Sequence, residues 1–255
     1  DTHACALVAD GTVKCWGDNY HGDLGNGGVP GGLTPVTVSG LAGATAISAG
    51  FSHNCAVVSG GTAKCWGWNA SGQLGNATTT DSTVPVAVSG LTNATAISTG
   101  EDHTCAVVSG GTAKCWGWNV TGQLGNGTNT NSNFPVAVSG LSSAKSISAG
   151  NGGLHTCALL ANGTAKCWGD NIVGQLGDGT PKDSSVPVSV SGLTAATRIS
   201  AGNSYSCALL ADSTVQCWGY GGWGDIGNGS ENNATTPTVV TGLVGATNVD
   251  RKSVV

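Results

Sequence analysis

The sequence is poor in charge, in helix-favouring residues and in long apolar runs. Only 9% of its 255 residues are charged, the formal net charge is −5, and no cation cluster is larger than Arg251-Lys252. A nucleic-acid surface needs several grouped cations, so we expect no nucleic-acid partner. Methionine is absent and leucine, lysine and glutamate are few, which disfavours a helical fold. No apolar run is long enough for a helix that spans a membrane.

Glycine and small β-favouring residues make up much of the chain. It has 43 glycines, and threonine, serine, asparagine, valine and alanine fill most other positions. This composition is typical of short strands separated by many turns. Since most of the apolar side chains are small, we expect a thin core that is repeated along the chain.

Ten cysteines form five pairs with the spacing C-x9-C, and each second cysteine is followed by Trp-Gly. The pairs are Cys5 with Cys15, Cys55 with Cys65, Cys105 with Cys115, Cys157 with Cys167, and Cys207 with Cys217. They recur with a period of about 50 residues, which is typical of solenoids, propellers and other repeat arrays. The chain is therefore expected to be a single repeat protein of five units.

The third unit contains four short strand signals, at 94–98, 103–108, 112–116 and 135–139. Each is rich in β-favouring residues and is bounded by Gly, Asn or Pro. Four strands in a unit of this length predict one blade of a β-propeller. A helical repeat of similar period would need amphipathic helices, which the sequence lacks. We therefore predict an all-β fold, a five-bladed β-propeller with four short antiparallel strands in each blade.

The first strand of the blade is distributed unevenly between the two ends of the chain. The first unit lacks it, whereas a fifth copy starts at Ala246, after the last fourth strand. We expect residues 246–250 to pair with the first blade and close the ring, because closure removes exposed sheet edges. The single domain, 1–255, would then divide into repeats at about 1–43, 44–93, 94–143, 144–195 and 196–245, with 246–255 as closing strand and tail.

The hairpin between the second and third strands fixes the register of the cysteines. A three-residue loop with glycine last, as in Ala161-Asn162-Gly163, pairs Leu160 with Thr164 and therefore Cys157 with Cys167. A two-residue loop would put the cysteines on opposite faces of the sheet. The fifth unit has Asp212-Ser213 at this turn, which places a non-glycine residue at the position that favours glycine.

Two interpretations of the cysteines compete. His53, Cys55 and Cys65 could supply three ligands to a metal in each blade. Alternatively, ten cysteines in five pairs indicate five structural disulfides, which the hairpin register allows. Tyr205 replaces the histidine in the fifth unit, which argues against a shared metal site. We prefer disulfides, expect no metal or cofactor, and infer a secreted, extracellular or cell-surface location from the oxidising chemistry.

The segments HTCAVVSGGTAKCWGWNVTGQLGNGT at 103–128 and HTCALLANGTAKCWGDNIVGQLGDGT at 155–180 resemble RCC1 repeats, the regulator of chromosome condensation type. All five units carry most of the pattern, and the paired cysteines resemble secreted bacterial-type variants. The resemblance implies a propeller used as a binding platform and does not imply one ligand. Familiar members have seven blades and the nuclear exchange factor uses a basic tail and an acidic exchange surface, and the sequence departs from that pattern in both respects.

Two residue types, tryptophan and histidine, recur at fixed positions of the repeat. The tryptophans of the Trp-Gly pairs are expected to pack between blades, and they are Trp16, Trp66, Trp116, Trp168 and Trp218. The histidines before the first cysteine of four pairs are expected to bond loop backbone, and they are His3, His53, His103 and His155. Both sets are interpreted as structural.

Positions that vary between the units are better candidates for a binding site. Two residues after each Trp-Gly tryptophan, three aromatic and two acidic side chains occur at what should be one level of the ring. With one further aromatic outside the repeat consensus, these candidate ligand-binding residues are Asp18, Trp68, Trp118, Asp170, Tyr220 and Trp223. Aromatic platforms with nearby polar groups suit a sugar or a peptide. The alternative is that these side chains merely cover the propeller face.

Other motifs are weaker. Eight Asn-x-Ser/Thr sequons are candidate glycosylation sites, at Asn69, Asn76, Asn93, Asn119, Asn126, Asn162, Asn228 and Asn233. The polar stretches 125–134 and 177–186 lack the Asp-x-Asp-x-Asp-Gly pattern of a calcium loop. No catalytic motif is present, so we expect no enzyme. The function we predict is a binding or scaffold propeller that recognises an extracellular protein or glycan. The alternatives are self-assembly as a subunit of a filament or surface layer and, less favoured, an enzyme inhibitor.

Overall fold

The computed structural model describes residues 3–28 and 30–250, which form five antiparallel sheets, the blades. The first blade contains β1 (His3–Leu7), β2 (Val13–Gly17) and β3 (Gly32–Thr37). The second contains β4 (Ala44–Ala49), β5 (His53–Val58), β6 (Thr62–Gly67) and β7 (Ser82–Ala87). The third contains β8 (Ala94–Thr99), β9 (His103–Val108), β10 (Thr112–Gly117) and β11 (Ser132–Ala137).

The last two blades repeat this arrangement. The fourth contains β12 (Ala144–Ala149), β13 (His155–Leu160), β14 (Ala165–Gly169) and β15 (Ser184–Ser189). The fifth contains β16 (Ala196–Ala201), β17 (Tyr205–Leu210), β18 (Val215–Gly219) and β19 (Ala234–Val239). Strands pair in chain order within each blade, and β4, β8, β12 and β16 pack against one another as the inner strands. The predicted all-β architecture with five blades is confirmed.

The predicted bounds of the first three strands were close, but the fourth strand was placed too late. In the third blade it runs over Ser132–Ala137 rather than 135–139. Its pairing with β10 is interrupted by a bulge between Cys115 and Gly117. The strand lies at the outer edge of the sheet, and an edge strand tolerates Pro135 because its missing N–H need not join a ladder.

The hairpin register is as predicted, and it places each cysteine opposite its partner. The N–H of Leu160 donates to the carbonyl oxygen of Thr164 at 2.9 Å, which brings the two cysteines of the fourth blade face to face. Ser213 has a φ of 66°, so a non-glycine residue does occupy the left-handed position of the fifth turn. The fifth blade keeps the same cysteine register in spite of this substitution.

All five predicted disulfides are confirmed, and each lies within its own blade. They join Cys5 to Cys15, Cys55 to Cys65, Cys105 to Cys115, Cys157 to Cys167, and Cys207 to Cys217. The disulfides of the first and fifth blades are less buried than those of the other three blades. In the first blade Cys15 is fully buried while Cys5 is half-buried, and in the fifth blade Cys217 is 4% exposed. The end blades therefore cover their bridges less completely than the three central blades do.

Neighbouring blades are joined by a repeated latch, in which two side chains of one blade donate to one carbonyl of the blade before it. Between the second and third blades, Trp116 Nε1 donates to the carbonyl oxygen of Gln73 at 2.9 Å. Thr104 Oγ1 donates to the same oxygen at 2.9 Å. The other three joints use Trp66 with Asn54, Trp168 with Thr156 and Trp218 with Ser206.

The latch tryptophans are the largest buried side chains at the joints. Trp66, Trp116, Trp168 and Trp218 are fully buried, and each belongs to a core cluster that combines residues of two blades. Gly75, with a φ of 66°, lies directly against Trp116, and a Cβ there would come within 2.7 Å of the indole nitrogen. The prediction that these tryptophans pack between blades is confirmed for four of the five.

The joint between the fifth and first blades is missing in the described chain. Trp16 is only half-buried. Gly227, the equivalent of Gly75, has Val240 as its nearest neighbour rather than an indole. Within the described residues, no strand of the fifth blade packs against the first blade as β13 packs against β16. The five blades therefore form an open arc.

The prediction that residues 246–250 complete the first blade was wrong. They form no strand, and the first sheet contains β1, β2 and β3 alone among the described strands. Ala246 instead donates its N–H to the carbonyl oxygen of Ser213 at 3.2 Å, as Ala196 does to Gly163 at 2.9 Å. Ala246 and Val249 pack against the core of the fifth blade. The repeat register thus carries this segment to the position of an inner strand beyond the fifth blade.

The strand connections alternate between two faces of the arc. The loop face carries the short connections 50–52, 100–102, 150–154 and 202–204 and the long connections 68–81, 118–131, 170–183 and 220–233. The hairpin face carries the tight turns within each blade and the connections to the next blade, such as 59–61 and 88–93. Every ligand-binding candidate predicted from the sequence lies on the loop face.

Candidate functional site

One backbone hydrogen bond, repeated from blade to blade, holds the residue after the third strand at the same level of the loop face. The N–H that follows the third strand donates to the carbonyl before the second strand, for example from Trp118 to Asp102 at 2.8 Å. The same bond joins Trp68 to Ser52, Asp170 to Leu154 and Tyr220 to Ser204. Asp18, Trp68, Trp118, Asp170 and Tyr220 are all half-buried. The shared level is found, while ligand binding by these residues stays a prediction.

Trp68 belongs to a polar and aromatic cluster that bridges the first two blades. The His21 ring lies 5.4 Å from the Trp68 ring and 4.9 Å from the Tyr20 ring, measured between centroids. Asp81 Oδ2 lies 3.0 Å from His21 Nδ1, and its Oδ1 accepts from the N–H of Asn69 at 2.8 Å. None of Tyr20, His21 and Asp81 was predicted from the sequence, although His21 is the only histidine outside the repeated set.

Trp118 is bonded through its backbone N–H to the carbonyl oxygen of Asp102, the second of two adjacent acidic residues, Glu101 and Asp102. Burial of Asp102, with a smaller contribution from the charge of Glu101, raises the pKa of Asp102 to about 6. The Gln73 amide lies 3.5 Å from Asp102 Oδ1, which is too long for a strong hydrogen bond. Asp102 therefore changes charge near neutral pH on the loop face. Neither carboxylate was predicted from the sequence, because no motif marks them.

Asp170 is held by a neighbouring amide. Gln175 Nε2 donates to Asp170 Oδ2 at 2.7 Å. Burial raises the pKa of Asp170, and the nearby charge of Asp183 raises it further. Asp183 in turn accepts from the N–H of Asn171 at 2.8 Å. Because its carboxylate is already bonded within the loop, Asp170 has less freedom to meet a ligand than the aromatic residues at its level.

Tyr220 and Trp223 are brought together in the fifth blade. They line a pocket of about 350 Å³ together with Asn203, Ser204, Tyr205 and Asp225. Trp223 is 86% exposed, so its indole is available to a ligand. Tyr220 and Trp223 were predicted as site residues from the sequence, whereas Tyr205 and Asp225 were not. Both stand where most other repeats have a different residue, and that signal could have found them.

The repeated histidines serve the joints, although not through loop backbone as predicted. His53 Nε2 lies 2.8 Å from Thr104 Oγ1 of the next blade, and His155 Nε2 lies 2.9 Å from Ser206 Oγ. His103 meets Thr156 in the same way, and His3 meets Asn54 Oδ1. Burial lowers the pKa of His155 to about 4, so this imidazole is neutral at physiological pH. The prediction was right about a structural role and wrong about the partner.

The alternative metal interpretation has no support in the described part of the chain. All ten cysteines are bonded in pairs, and the described residues contain no cluster of three or more histidine, cysteine or acidic side chains that could hold a metal ion. A disulfide-bonded sulfur has no thiolate to offer a metal.

Two of the eight sequons lie inside the protein. Asn69 and Asn119 are fully buried. The Asn69 amide donates to the carbonyl oxygens of Thr78 and Thr80, and its Oδ1 accepts from the N–H of Leu74. A glycan on Asn69 or Asn119 would displace such bonds, so the structure does not support glycosylation there. Asn93, Asn162 and Asn233 are exposed, and glycosylation of the remaining sequons stays a prediction.

The family follows from the repeats. One model of the regulator of chromosome condensation (RCC1) repeat matches residues 62–107, 112–159 and 162–209. A second matches 1–23, 44–73, 94–123, 144–175 and 196–225, one segment in each unit. The chain belongs to the RCC1 repeat family. Among the described residues, no helix has the length and apolar character to cross a membrane.

Several solved structures are similar to this chain. Yeast RCC1 (Prp20), solved bound to Kap60, is 22% identical with a TM-score of 0.83, over 94% of this chain and 59% of that one. Human WBSCR16 is 25% identical with a TM-score of 0.82, over 94% and 65%. The ectodomain of the receptor kinase CR4 from Physcomitrella patens is 26% identical with a TM-score of 0.52, over 87% and 50%. The chain thus spans between half and two thirds of these structures.

Proposed function

We propose that this chain is an extracellular recognition module that binds a protein or a glycan on its loop face. The observation that carries the proposal is the contrast between the structural contacts, which are repeated in the blades, and the loop face, which varies in sequence. Disulfides and latches repeat from blade to blade, whereas Trp68, Trp118 and Tyr220 occupy one level of the loop face that varies in sequence. Accessible aromatic side chains on a rigid frame are typical of binding surfaces.

The extracellular location is supported by the disulfides. Five bridges with no free cysteine suit an oxidising compartment, because the reducing cytosol keeps most thiols unpaired. The CR4 ectodomain, which belongs to a receptor kinase, is an example of a similar structure outside the cell. Low charge is consistent with this setting and gives no reason to propose a nucleic-acid partner.

A binding role, rather than catalysis, is favoured by the fold. Yeast Prp20 is bound to Kap60 in its solved complex, so an RCC1 propeller can act as a protein-binding scaffold. We do not transfer that partner, because the identity of 22% supports the fold alone. Near-identical repeats also disfavour a single asymmetric catalytic centre.

The proposal is tested by screening the purified, oxidised chain on arrays of glycans and of extracellular protein domains. A loop-face variant carries Trp68→Ala, Trp118→Ala and Tyr220→Ala. A control variant carries Thr92→Arg and Ser142→Arg, which are exposed residues of the hairpin face. Ligands of the wild type should be lost by the loop-face variant and kept by the control. Ligands that behave in the opposite way would contradict the proposal.

Self-assembly is a second candidate, favoured by the two open ends of the arc. Among the described strands, β1 is an edge of the first sheet, and residues 246–249 lie at the position of an inner strand beyond the fifth blade. An unpaired edge strand can pair with a strand of another copy. Light scattering over a range of concentrations distinguishes this role, because a chain that remains monomeric cannot be a filament subunit.

A further inference from the structure

The fifth blade departs from the other four at several loop-face positions. Tyr205 stands where the others have histidine, namely His3, His53, His103 and His155. Trp223 stands where the others have His21, Ser71, Thr121 and Val173. Asp225 stands where three blades have glutamine, namely Gln73, Gln123 and Gln175, and where the first blade has Asp23. Since Tyr205, Trp223 and Asp225 all line the same pocket, the departures converge in space.

Two glycines make this rearrangement sterically possible. Gly221 replaces the buried asparagine of the other blades, and a Cβ at this position would collide with the carbonyl oxygen of Asn232. A Cβ at Gly222 would collide with the phenolic oxygen of Tyr220. The glycines therefore allow the Asn232 backbone and the Tyr220 ring to occupy space that side chains fill elsewhere. The substitutions that form the pocket therefore depend on one another sterically.

The chemistry of the pocket suits a neutral ring that carries hydroxyl groups. Trp223, Tyr220 and Tyr205 offer aromatic surfaces, whose electron-rich faces attract the C–H bonds of a sugar ring. The Asp225 carboxylate accepts hydrogen bonds from hydroxyl groups, and the Asn203 amide both donates and accepts. No lysine or arginine is among the described residues that line the pocket, so a phosphate or carboxylate ligand would lack a counter-charge. Its volume of about 350 Å³ lies within the usual range for small-ligand sites, about 300–1,000 Å³.

We propose that the fifth-blade pocket binds a pyranose ring of a neutral glycan, with Trp223 and Tyr220 as the stacking residues and Asp225 as a hydroxyl acceptor. The inference deepens the proposed function and rests on it, because it names one ligand class and one subsite of the loop face. The aromatic pair would supply contact area, and the acid and amide would fix the orientation of the ring.

The test is an array of neutral glycans, followed by titration of the strongest ligand against the wild type and three variants. Trp223→Thr installs the residue that the third blade has at the same repeat position, Thr121, and Tyr220→Ala removes the second ring. Thr92→Arg, an exposed position of the hairpin face, is the control. Thermal melting of each variant establishes that it is folded before binding is compared.

We expect wild-type binding to weaken at least tenfold in Trp223→Thr and Tyr220→Ala, about 1.4 kcal/mol, and to stay within about twofold in Thr92→Arg. Ligand should also protect the exposed indole of Trp223 from acrylamide quenching, an effect absent from Trp223→Thr. Failure to bind any neutral glycan, or equal binding by Trp223→Thr, would overturn the inference. If a protein ligand is then bound through Trp68 and Trp118, the proposed function stands without this subsite.

Discussion

The indole N–H of Trp116 donates to the carbonyl oxygen of Gln73 at 2.9 Å across the joint between two blades. The same oxygen accepts a hydrogen bond from the hydroxyl of Thr104, which lies in the same blade as Trp116. One backbone carbonyl therefore holds a large buried ring and a second-strand hydroxyl in fixed relation. Since three other joints repeat this pairing, blade order and spacing depend on a local contact that each unit carries in full.

Trp116→Ala should destabilise the chain by about 3–5 kcal/mol, because it leaves a cavity at the joint and removes one donor to Gln73. Chemical denaturation at pH 7 measures the loss. Trp16→Ala is the matched control, because Trp16 occupies the same repeat position but is only half-buried. Its effect should be clearly smaller, and equal effects would contradict the open joint at the first blade.

Gly75→Ala tests the close approach of the loop to the same indole. The glycine has a positive φ, and a Cβ would come within 2.7 Å of Trp116 Nε1. We expect a lower melting temperature and a red-shifted tryptophan emission. Gly227→Ala is the control, since Gly227 shares the positive φ and faces Val240 rather than an indole. A Gly75→Ala variant with unchanged emission would show that the ring does not depend on this contact.

Replacing both Cys105 and Cys115 by alanine should cost about 2–3 kcal/mol, because the bridge closes a short loop in the unfolded chain. The two residues lie opposite each other within one blade. The substitution should therefore lower the free energy of unfolding and should not change the oligomeric state. Denaturation of the variant under non-reducing conditions gives the value. Intact mass under the same conditions should show all the bridges in the wild type and one fewer in the variant.

Asp102 and His155 predict opposite responses to pH. The pKa of Asp102 is raised to about 6 in the folded chain, so the folded state binds more protons than the unfolded state between about pH 4 and 6. The stability contributed by protonated Asp102 is therefore lost as pH rises through this window. Asp102→Asn should raise the melting temperature at about pH 7.5 and leave it nearly unchanged at about pH 4. Equal shifts at both values would contradict the assignment.

The pKa of His155 is lowered to about 4 by burial, which gives the opposite sign. The unfolded state binds the proton first, so stability is present above about pH 6.5 and is lost as pH falls toward 4, by roughly 3 kcal/mol in the limit. His155→Gln should flatten this acid limb of the stability curve. The readout is the slope between about pH 4 and 6.5, which a merely destabilising substitution would leave unchanged.

Much of the fold could be predicted because the features that determine it are short sequence patterns within each repeat. The turn at Ala161–Gly163 fixes the cysteine register through loop length alone, and the Trp-Gly pairs mark the joints. The closing strand was misplaced because a repeat pattern gives the identity of a segment but not which neighbour it meets, and the register puts Ala246 beyond the fifth blade. The shift of the fourth strand depended on a bulge near Cys115, which composition does not reveal.

The candidate site was predicted only in outline. Spacing after the Trp-Gly pairs correctly placed Trp68, Trp118 and Tyr220 at one level. The cluster around His21 and Asp81 was missed because its members come from two blades and meet only through the joint. The fifth-blade pocket depends on what Gly221 makes room for, which is a steric relation between residues distant in sequence.

Hydrogen exchange of the purified chain, with and without its strongest ligand from the arrays, tests the central claim most directly. The account predicts ligand-dependent protection in the loop-face segments 68–81, 118–131 and 220–233, with the hairpin-face segments 59–61 and 88–93 unchanged. Protection confined to the hairpin face, or no ligand on either array, would contradict the claim that the loop face is the recognition surface.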